Sequence, residues 1–254
     1  KINCLILLGA DPIADVRDTE LARQAMAAVQ HVIAIDTFAS SSSQRADVLL
    51  PAAAFGEKDG TTTNLEGRVT QLNRKVNVHG TARPDWMIAL ELADYLGHDL
   101  GVGSVQEVHQ QLVNKVAAFG DATRAALAVN PDGVLLRRSN GHSSAASSPA
   151  VPDRPGFGYR LVVSRKLYDN GSNVAHSASL APLAPGSSLH MHPLDLDRLG
   201  AAVGAQVKVS SDRTSIVMPI VADESVTRGT VWAAWAQSGA NIGELIDSSR
   251  SVND

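Results

Sequence analysis

Short apolar runs alternating with a helical spacing organise the first third of the chain. Ile2–Leu8 is a continuous apolar run closed by Gly9, and Val32–Ile35 is a second, closed by Asp36. Between them, Thr19–Val29 places Leu21, Ala25, Met26 and Val29 on one side of a helix. This order predicts a βαβ unit. A third run, Val48–Leu50, stops at Pro51, so strands alternate with crossovers as a parallel sheet requires. Farther on, Asp85–Leu96 predicts a helix with Trp86, Ile88, Leu92 and Leu96 inward and Gly97 at its end, and Val105–Phe119 predicts another.

From Asn130 the pattern dissolves into Ser, Pro, Gly and Ala around SSAASSPAVPDRPG, the composition of a linker or insertion. Beyond it, short strands are predicted at Tyr159–Ser164, Ser188–Met191, Gln206–Ser210, Ser215–Ile220 and Thr230–Ala233, with one helix at Pro193–Leu199. Strands of this length separated by turns predict a small β-barrel. The expected organisation is an α/β domain over 1–129, a Ser/Pro-rich linker over 130–157 and a barrel domain over 158–254.

Composition narrows the function classes. With 254 residues, 44% hydrophobic content and a formal charge of -4, the chain is long enough for two cores. Its 22 basic residues are scattered, which excludes the clustered cations that nucleic acid requires. No apolar run approaches the ~20 residues that span a bilayer, and the apolar stretch in KINCLILLGADP is too short for a signal peptide. Because Lys1 opens directly into a strand, the sequence reads as a fragment of a longer polypeptide. The single cysteine, Cys4, leaves no set for a disulfide framework or a Cys-ligated cluster, and is expected in the core.

Several residues bear on chemistry. G-A-D-P-I-A after the first strand lacks the further glycines of a dinucleotide fingerprint, so Asp36 reads as a turn-capping residue ahead of Ser40–Ser43. His190-Met191-His192 puts two imidazoles on one strand face, as a metal pair needs, with no third ligand evident. Glu57, Asp59 and Glu66 lack a nucleophile and base, and are expected as caps and ion-pair partners of Lys58 and Arg68. Gly60 and Gly67 are expected in glycine-only conformations, and Thr61–Asn64 is expected to bond the segment to itself as a structural loop. No catalytic residue and no metal ligand are assigned.

ADVLLPAAAFGEKDGTTTNLEGRVTQ at Ala46–Gln71 resembles the segment of the molybdopterin oxidoreductase superfamily where a strand ending in Leu-Pro leads to Glu, Gly-Thr, Asn and a Glu-x-Arg-x-x-Gln tail. With ARPDWMIALELADYLG at Ala82–Gly97, LLGADP and VIAIDTF, it most resembles the family of G-type large subunits of NADH-quinone oxidoreductase, respiratory complex I. HPLDLDRLGAAVGAQVKVSS, Thr230–Ala233, Asn241 and Asp247 are similar to the superfamily's pterin-dinucleotide domain, a double-psi β-barrel. The implied fold is a Rossmann-like parallel α/β domain followed by that barrel.

The resemblance implies that Asp36, Ser41, His176, Asn241 and Asp247 lie at vestigial pterin-dinucleotide positions. AHSASLAPL at Ala175–Leu183 lacks the Ser-Arg expected where the pterin enzymes approach their cofactor, and Ser40–Ser43 replaces the usual Glu-Thr pair. The expectation is therefore a scaffold without a cofactor of its own, in a parent chain whose N-terminal domains bind iron–sulfur clusters. The partners implied are those domains and other peripheral-arm subunits of complex I, at the cytoplasmic face of a bacterial inner membrane, with no membrane insertion. Trp86, Trp232 and Trp235 are expected as anchors in a core or at a subunit contact. The alternative is the cofactor-binding half of a formate dehydrogenase or nitrate reductase type of enzyme, holding molybdopterin guanine dinucleotide.

Overall fold

The computed structural model describes residues 2–137 and 158–249. The Ser/Pro-rich stretch from 138 to 157 lies outside the described residues. Strand β1 (Cys4–Leu8) is followed by a short helix α1 (Pro12–Asp15), helix α2 (Thr19–Ala28), strand β2 (His31–Asp36) and strand β3 (Val48–Pro51). The three strands form a parallel sheet in the order β1-β2-β3, with Leu7 opposite Ala34 and Ile35 opposite Leu50. One face packs Leu7, Val32 and Ala34 against Ile13 and Met26. The other packs Ile35 and Ala52 against Ile88.

Two sequence expectations change here. The buried stripe of α2 is Thr19, Ala22 and Met26, while Leu21 and Ala25 face solvent, because the helix is rotated to bring Thr19 toward the C-terminal part of the chain. Cys4 is exposed and not in the core. On β1, Leu5 and Leu7 turn toward the helices; Cys4, Ile6 and Leu8 point to the half of the opposite face that Ile88 does not reach.

The Ala46–Gln71 segment is more regular than a loop. Strands β4 (Gly60–Thr63) and β5 (Arg68–Leu72) form an antiparallel hairpin. Asn64 Oδ1 accepts from the N–H groups of Glu66 and Arg68 at 3.0 and 2.9 Å, and Gly67 closes the turn at φ 80°. Next come helix α3 (Asp85–Tyr95), helix α4 (Val105–Lys115), helix α5 (Arg124–Val129) and strand β6 (Val134–Leu135). Pairing of β6 with β5 carries the folded structure into the stretch with linker composition. Val69, Ala122 and Leu127 form the core under this sheet. On α3, Ile88 is buried, but Leu96, the cap just past its end, is exposed.

The C-terminal part contains strand β7 (Arg160–Ser164), a short helix α6 (Ser172–Ala175), strand β8 (Leu189–Met191), helix α7 (Pro193–Leu199), and strands β9 (Gln206–Ser210), β10 (Ser215–Ala222) and β11 (Thr230–Ala234). Its mixed sheet has the order β7-β11-β8-β10-β9. Alternation along the strands buries Leu189, Met191, Met218, Ile220, Val231 and Ala233 with Trp235, Ile242 and Leu245. Trp235 is a core residue as expected, whereas Trp232 turns to the outer face, its indole N–H donating to Ser164 Oγ at 2.8 Å. Among the described residues, no helix is long and apolar enough to cross a membrane.

One carboxylate joins the two parts. Asp18, 2% exposed, caps α2 through the Leu21 N–H at 2.9 Å. It also accepts from Arg213 Nη1 at 2.5 Å and from the N–H and hydroxyl of Ser248, both at 2.9 Å. Burial works against ionisation, but the Arg213 hydrogen bond, followed by those from Ser248 and Leu21, outweighs it and holds the carboxyl well below the usual range. Beside it, Gly243 sits so close to α2 that an added Cβ would lie 2.7 Å from the Trp235 ring and 2.8 Å from the Arg17 carbonyl.

Asp18→Asn is expected to lower stability by about 3 kcal/mol in urea unfolding at neutral pH, since it leaves Arg213 without its buried counter-charge. The depressed folded pKa sets the sign with pH: the contribution is complete above the unfolded value of about 3.9 and is lost as pH falls through the folded one. The gap between wild type and Asp18→Asn should therefore stay constant between about pH 6 and 8 and shrink below about pH 4. A gap independent of pH would assign the effect to shape instead of charge. Gly243→Ala is expected to cost about 2 kcal/mol through the same interface, read as a lowered melting temperature.

Candidate functional site

A cleft of about 530 Å³ opens between the two parts, beside the Asp18 clamp. Its N-terminal wall is built by Asp11 and Ile13 at the start of α1, Arg23 on α2, and the turn from Ala39 to Gln44. The opposite wall carries Asn170, Ser172 and His176 around α6, with Gln237 and Asn241 after β11. A parallel sheet places such a crevice beyond the carboxyl ends of its strands, where loops with free backbone groups gather.

Asp11 organises the first wall. Its carboxylate accepts from the N–H groups of Ser41 and Ser42 at 3.1 and 3.0 Å and from the Ser42 hydroxyl at 2.6 Å. Ser42 Oγ in turn accepts from the Ile13 N–H at 3.0 Å. The turn after β2 is thus bolted to the turn after β1. Phe38 extends from the same segment and stacks on His176 across the cleft, with ring centroids 4.1 Å apart and planes inclined by 8°. On the far wall, Gln237 is 7% exposed and donates to the Tyr168 carbonyl at 3.1 Å. Ala236 beside it has φ 52°, an uncommon conformation for a residue with a Cβ.

Of the five positions named from the sequence, Ser41, His176 and Asn241 line this cleft. Asp36 stands behind it: its carboxylate accepts from the Thr37 N–H at 2.7 Å and the Ser40 hydroxyl at 3.3 Å, shaping the turn. Asp247 lies outside it, 3.3 Å from Arg213 and accepting from the N–H and hydroxyl of Ser249. Asn241 spans the interface, its amide donating to Thr19 Oγ1 at 3.3 Å. Sequence reasoning misses Asp11, Phe38 and Gln237. Asp11 has a legible signal, an aspartate directly before Pro12 at a helix start, which is a capping pattern.

The other sequence candidates do not converge on this cleft. His190 uses both ring nitrogens, on Ser188 and Asp223, while His192 Nδ1 accepts from the Leu194 N–H at 3.2 Å and caps α7. They are not a metal pair. Glu57 accepts from the Ala54 N–H at 2.8 Å, Asp59 from the Arg74 N–H at 2.9 Å, and Glu66 pairs with Arg68 at 3.1 Å. Lys58 pairs with Asp85 at the start of α3, and not with a carboxylate of its own segment. Trp86 is half-buried at a different opening, near Lys58 and His109.

The charge of the interdomain cleft limits what it can hold. A nucleotide's sugar and base find hydroxyls and amides in Ser40, Ser41, Asn170, Ser172, Gln237 and Asn241. A diphosphate needs cations or a cluster of N–H donors. Among the described lining residues Arg23 is the one Lys or Arg, and it is held by Glu244 at 3.2 Å and Glu20 at 3.9 Å. Asp11 adds a carboxylate to the same wall. Among the described residues, the lining is thus mostly neutral and polar, with one arginine that is already paired.

Comparison with known proteins agrees with this architecture. The family model described as Molybdopterin oxidoreductase matches residues 1–95, and that described as Molydopterin dinucleotide binding domain matches residues 159–253. The chain is 28% identical over 253 residues to the NADPH-Fe(3+) oxidoreductase subunit alpha of Geobacter sulfurreducens, covering 99% of this chain and 29% of that protein. It is 28% identical over 236 residues to a G-type NADH-quinone oxidoreductase subunit of Rhizobium meliloti, covering 91% of this chain and 27% of that one. Formate dehydrogenase and nitrate reductase subunits match at similar identity. Acetylene hydratase from Pelobacter acetylenicus shares the fold over 91% of this chain and 37% of its own, with a TM-score of 0.66 and 16% identity. The chain spans about a third of the length of the curated relatives it matches. Its N-terminal part is similar to molybdopterin oxidoreductases, and its C-terminal part to molybdopterin dinucleotide binding domains.

Proposed function

We propose that this segment is a scaffold part of the large cluster-bearing subunit of an NADH-quinone oxidoreductase, supporting electron transfer without holding a cofactor itself. The observation that carries the reading is the charge of the cleft: among its described lining residues the one arginine, Arg23, is paired to Glu244, and Asp11 adds a carboxylate. The likeness to the NADH-quinone oxidoreductase subunit of Rhizobium meliloti supports the same assignment. In this reading the α/β domain extends past 129 to take in β6, a linker follows it, and a double-psi barrel spans 158–254. The iron–sulfur clusters lie in other domains of the parent chain. The segment's contribution is packing and contact surface toward those domains and the peripheral-arm subunits, at the cytoplasmic face of the membrane.

A second reading rests on a different observation, the match of residues 159–253 to the dinucleotide binding domain together with the neutral polar lining of the cleft. In it the segment is the cofactor-binding half of a molybdopterin-dependent oxidoreductase such as formate dehydrogenase or nitrate reductase. Ser41, His176 and Asn241 would then contact the molybdopterin guanine dinucleotide, while Asp36 and Asp247 hold the surrounding turns. The cofactor would supply the redox chemistry; these residues would bind and orient it.

Metal analysis and fluorescence of released pterin on the parent polypeptide purified from its source separate the two. The scaffold reading expects iron with molybdenum and tungsten both well below one equivalent, and no pterin fluorescence above a blank. Stoichiometric molybdenum or tungsten with released pterin would overturn it in favour of the second.

A further inference from the structure

The strand motif His190-Met191-His192, which the interdomain cleft does not use, leads to a second constellation on the outer face of the C-terminal sheet. Ser188 Oγ lies 3.1 Å from His190 Nε2, and His190 Nδ1 lies 3.0 Å from Asp223 Oδ2. Nucleophile, base and orienting carboxylate thus form one hydrogen-bonded line, the geometry by which such triads are recognised on unrelated folds. Two neighbouring strands build it. Ser188, just before β8, and His190 within it are two residues apart, so their side chains share a face, and Asp223 follows directly on β10, whose Val221 is in register with His190.

The direction of the protons follows from the carboxylate. Asp223 Oδ1 accepts from the hydroxyl and N–H of Ser225 at 2.6 and 2.9 Å, and these bonds with the one from His190 hold its carboxyl below the usual range. An ionised Asp223 only accepts, so the proton between it and His190 sits on Nδ1. In the neutral imidazole Nε2 is then the acceptor, and the Ser188 hydroxyl is its donor. That is the tautomer a general base requires. Trp232, opposite His190 on β11, packs edge-on against the imidazole with centroids 4.7 Å apart and an interplanar angle of 78°. Lys166 Nζ lies 4.7 Å above the indole. The His190 and Asp223 side chains remain 21% and 28% exposed, and a surface cleft of about 320 Å³ lies alongside, bounded by Val162, Lys166, Asp223, Val226, Thr227 and Trp232.

We propose that Ser188, His190 and Asp223 form an acyl-transfer site that hydrolyses small carboxylic esters. Ser188 Oγ bonds to the ester carbonyl carbon while its proton passes to His190 Nε2. The carbon–oxygen bond to the alcohol then breaks, and the alcohol leaves with that proton, giving an acyl-serine. Water attacks the acyl group with His190 again taking the proton, and the carboxylic acid and free Ser188 are released. Ser188 and His190 are the catalytic residues. Asp223 is a positioning residue, acting through the imidazole.

The 254-residue chain treated with p-nitrophenyl acetate is expected to release p-nitrophenolate with saturation. A fluorophosphonate probe is expected to add its phosphonyl group to Ser188, located by peptide mass spectrometry. Ser188→Ala should lower the rate by about a hundredfold and abolish labelling, with an unchanged circular dichroism spectrum. Asp223→Asn should lower turnover at neutral pH while Ser188 stays present, because the amide no longer selects the productive tautomer. Should Ser188→Ala not fold, His190→Gln must give the same loss of rate and labelling. Wild-type hydrolysis equal to that of the folded variant, or a label on any other residue, overturns the proposal. Either result would leave the three groups as a polar clasp between β8 and β10.

Discussion

The arrangement of this chain depends on a carboxylate that belongs to one part and is satisfied by the other. Asp18 would cost several kcal/mol as an isolated buried charge. Here it has donors from α2, from Arg213 after β9 and from Ser248 near the end of the described chain. Arg213 in turn reaches the Ile246 carbonyl at 2.6 Å and Asp247 at 3.3 Å. The C-terminal segment is therefore ordered by its contact with α2 as well as by its own core. The pairs Arg23–Glu244 and Arg165–Asp15 repeat the pattern at the edges, where exposure makes each worth much less.

That clamp fixes the separation of the cleft walls, and close packing makes the fix rigid. Gly243 allows the second part to approach α2 at a distance no Cβ would permit, with Thr19 and Trp235 both close to it. Farther out, Phe38 and His176 stack across the gap, adding about 1 kcal/mol beyond their buried area. Among the described lining residues the one arginine, Arg23, already has two carboxylate partners.

Legibility in the sequence follows the strength of local signals. Gln206–Ser210 and Pro193–Leu199 are readable to the residue, because alternation in one and proline and glycine at the ends of the other are local properties. The hairpin β4–β5 reads as a loop in the sequence: its Thr-rich strands lack apolar alternation, and its third strand β6 comes from a distant stretch that composition alone marks as linker. Cys4 is misjudged from sequence because a continuous apolar run shows neither which face of its sheet is covered nor how far a helix reaches. In the cleft, His176, Ser41 and Asn241 come from resemblance, and the structure brings them together. Phe38 is invisible in the sequence since its role is a stacking contact with His176, on a different part of the chain.

The C-terminal sheet shows how one alternation can serve two ends. Inward positions Leu189, Met191, Val231 and Ala233 fill the core, so any change there is felt as packing. Outward positions His190 and Trp232, in register with one another, bear no such load and are free to carry polar groups. A hydrogen-bonded line from Ser188 to Asp223 on that face keeps each polar atom partnered while leaving it reachable from water. Its place one residue out of phase with the core is what lets the same strand be at once a stability element and a site of chemistry.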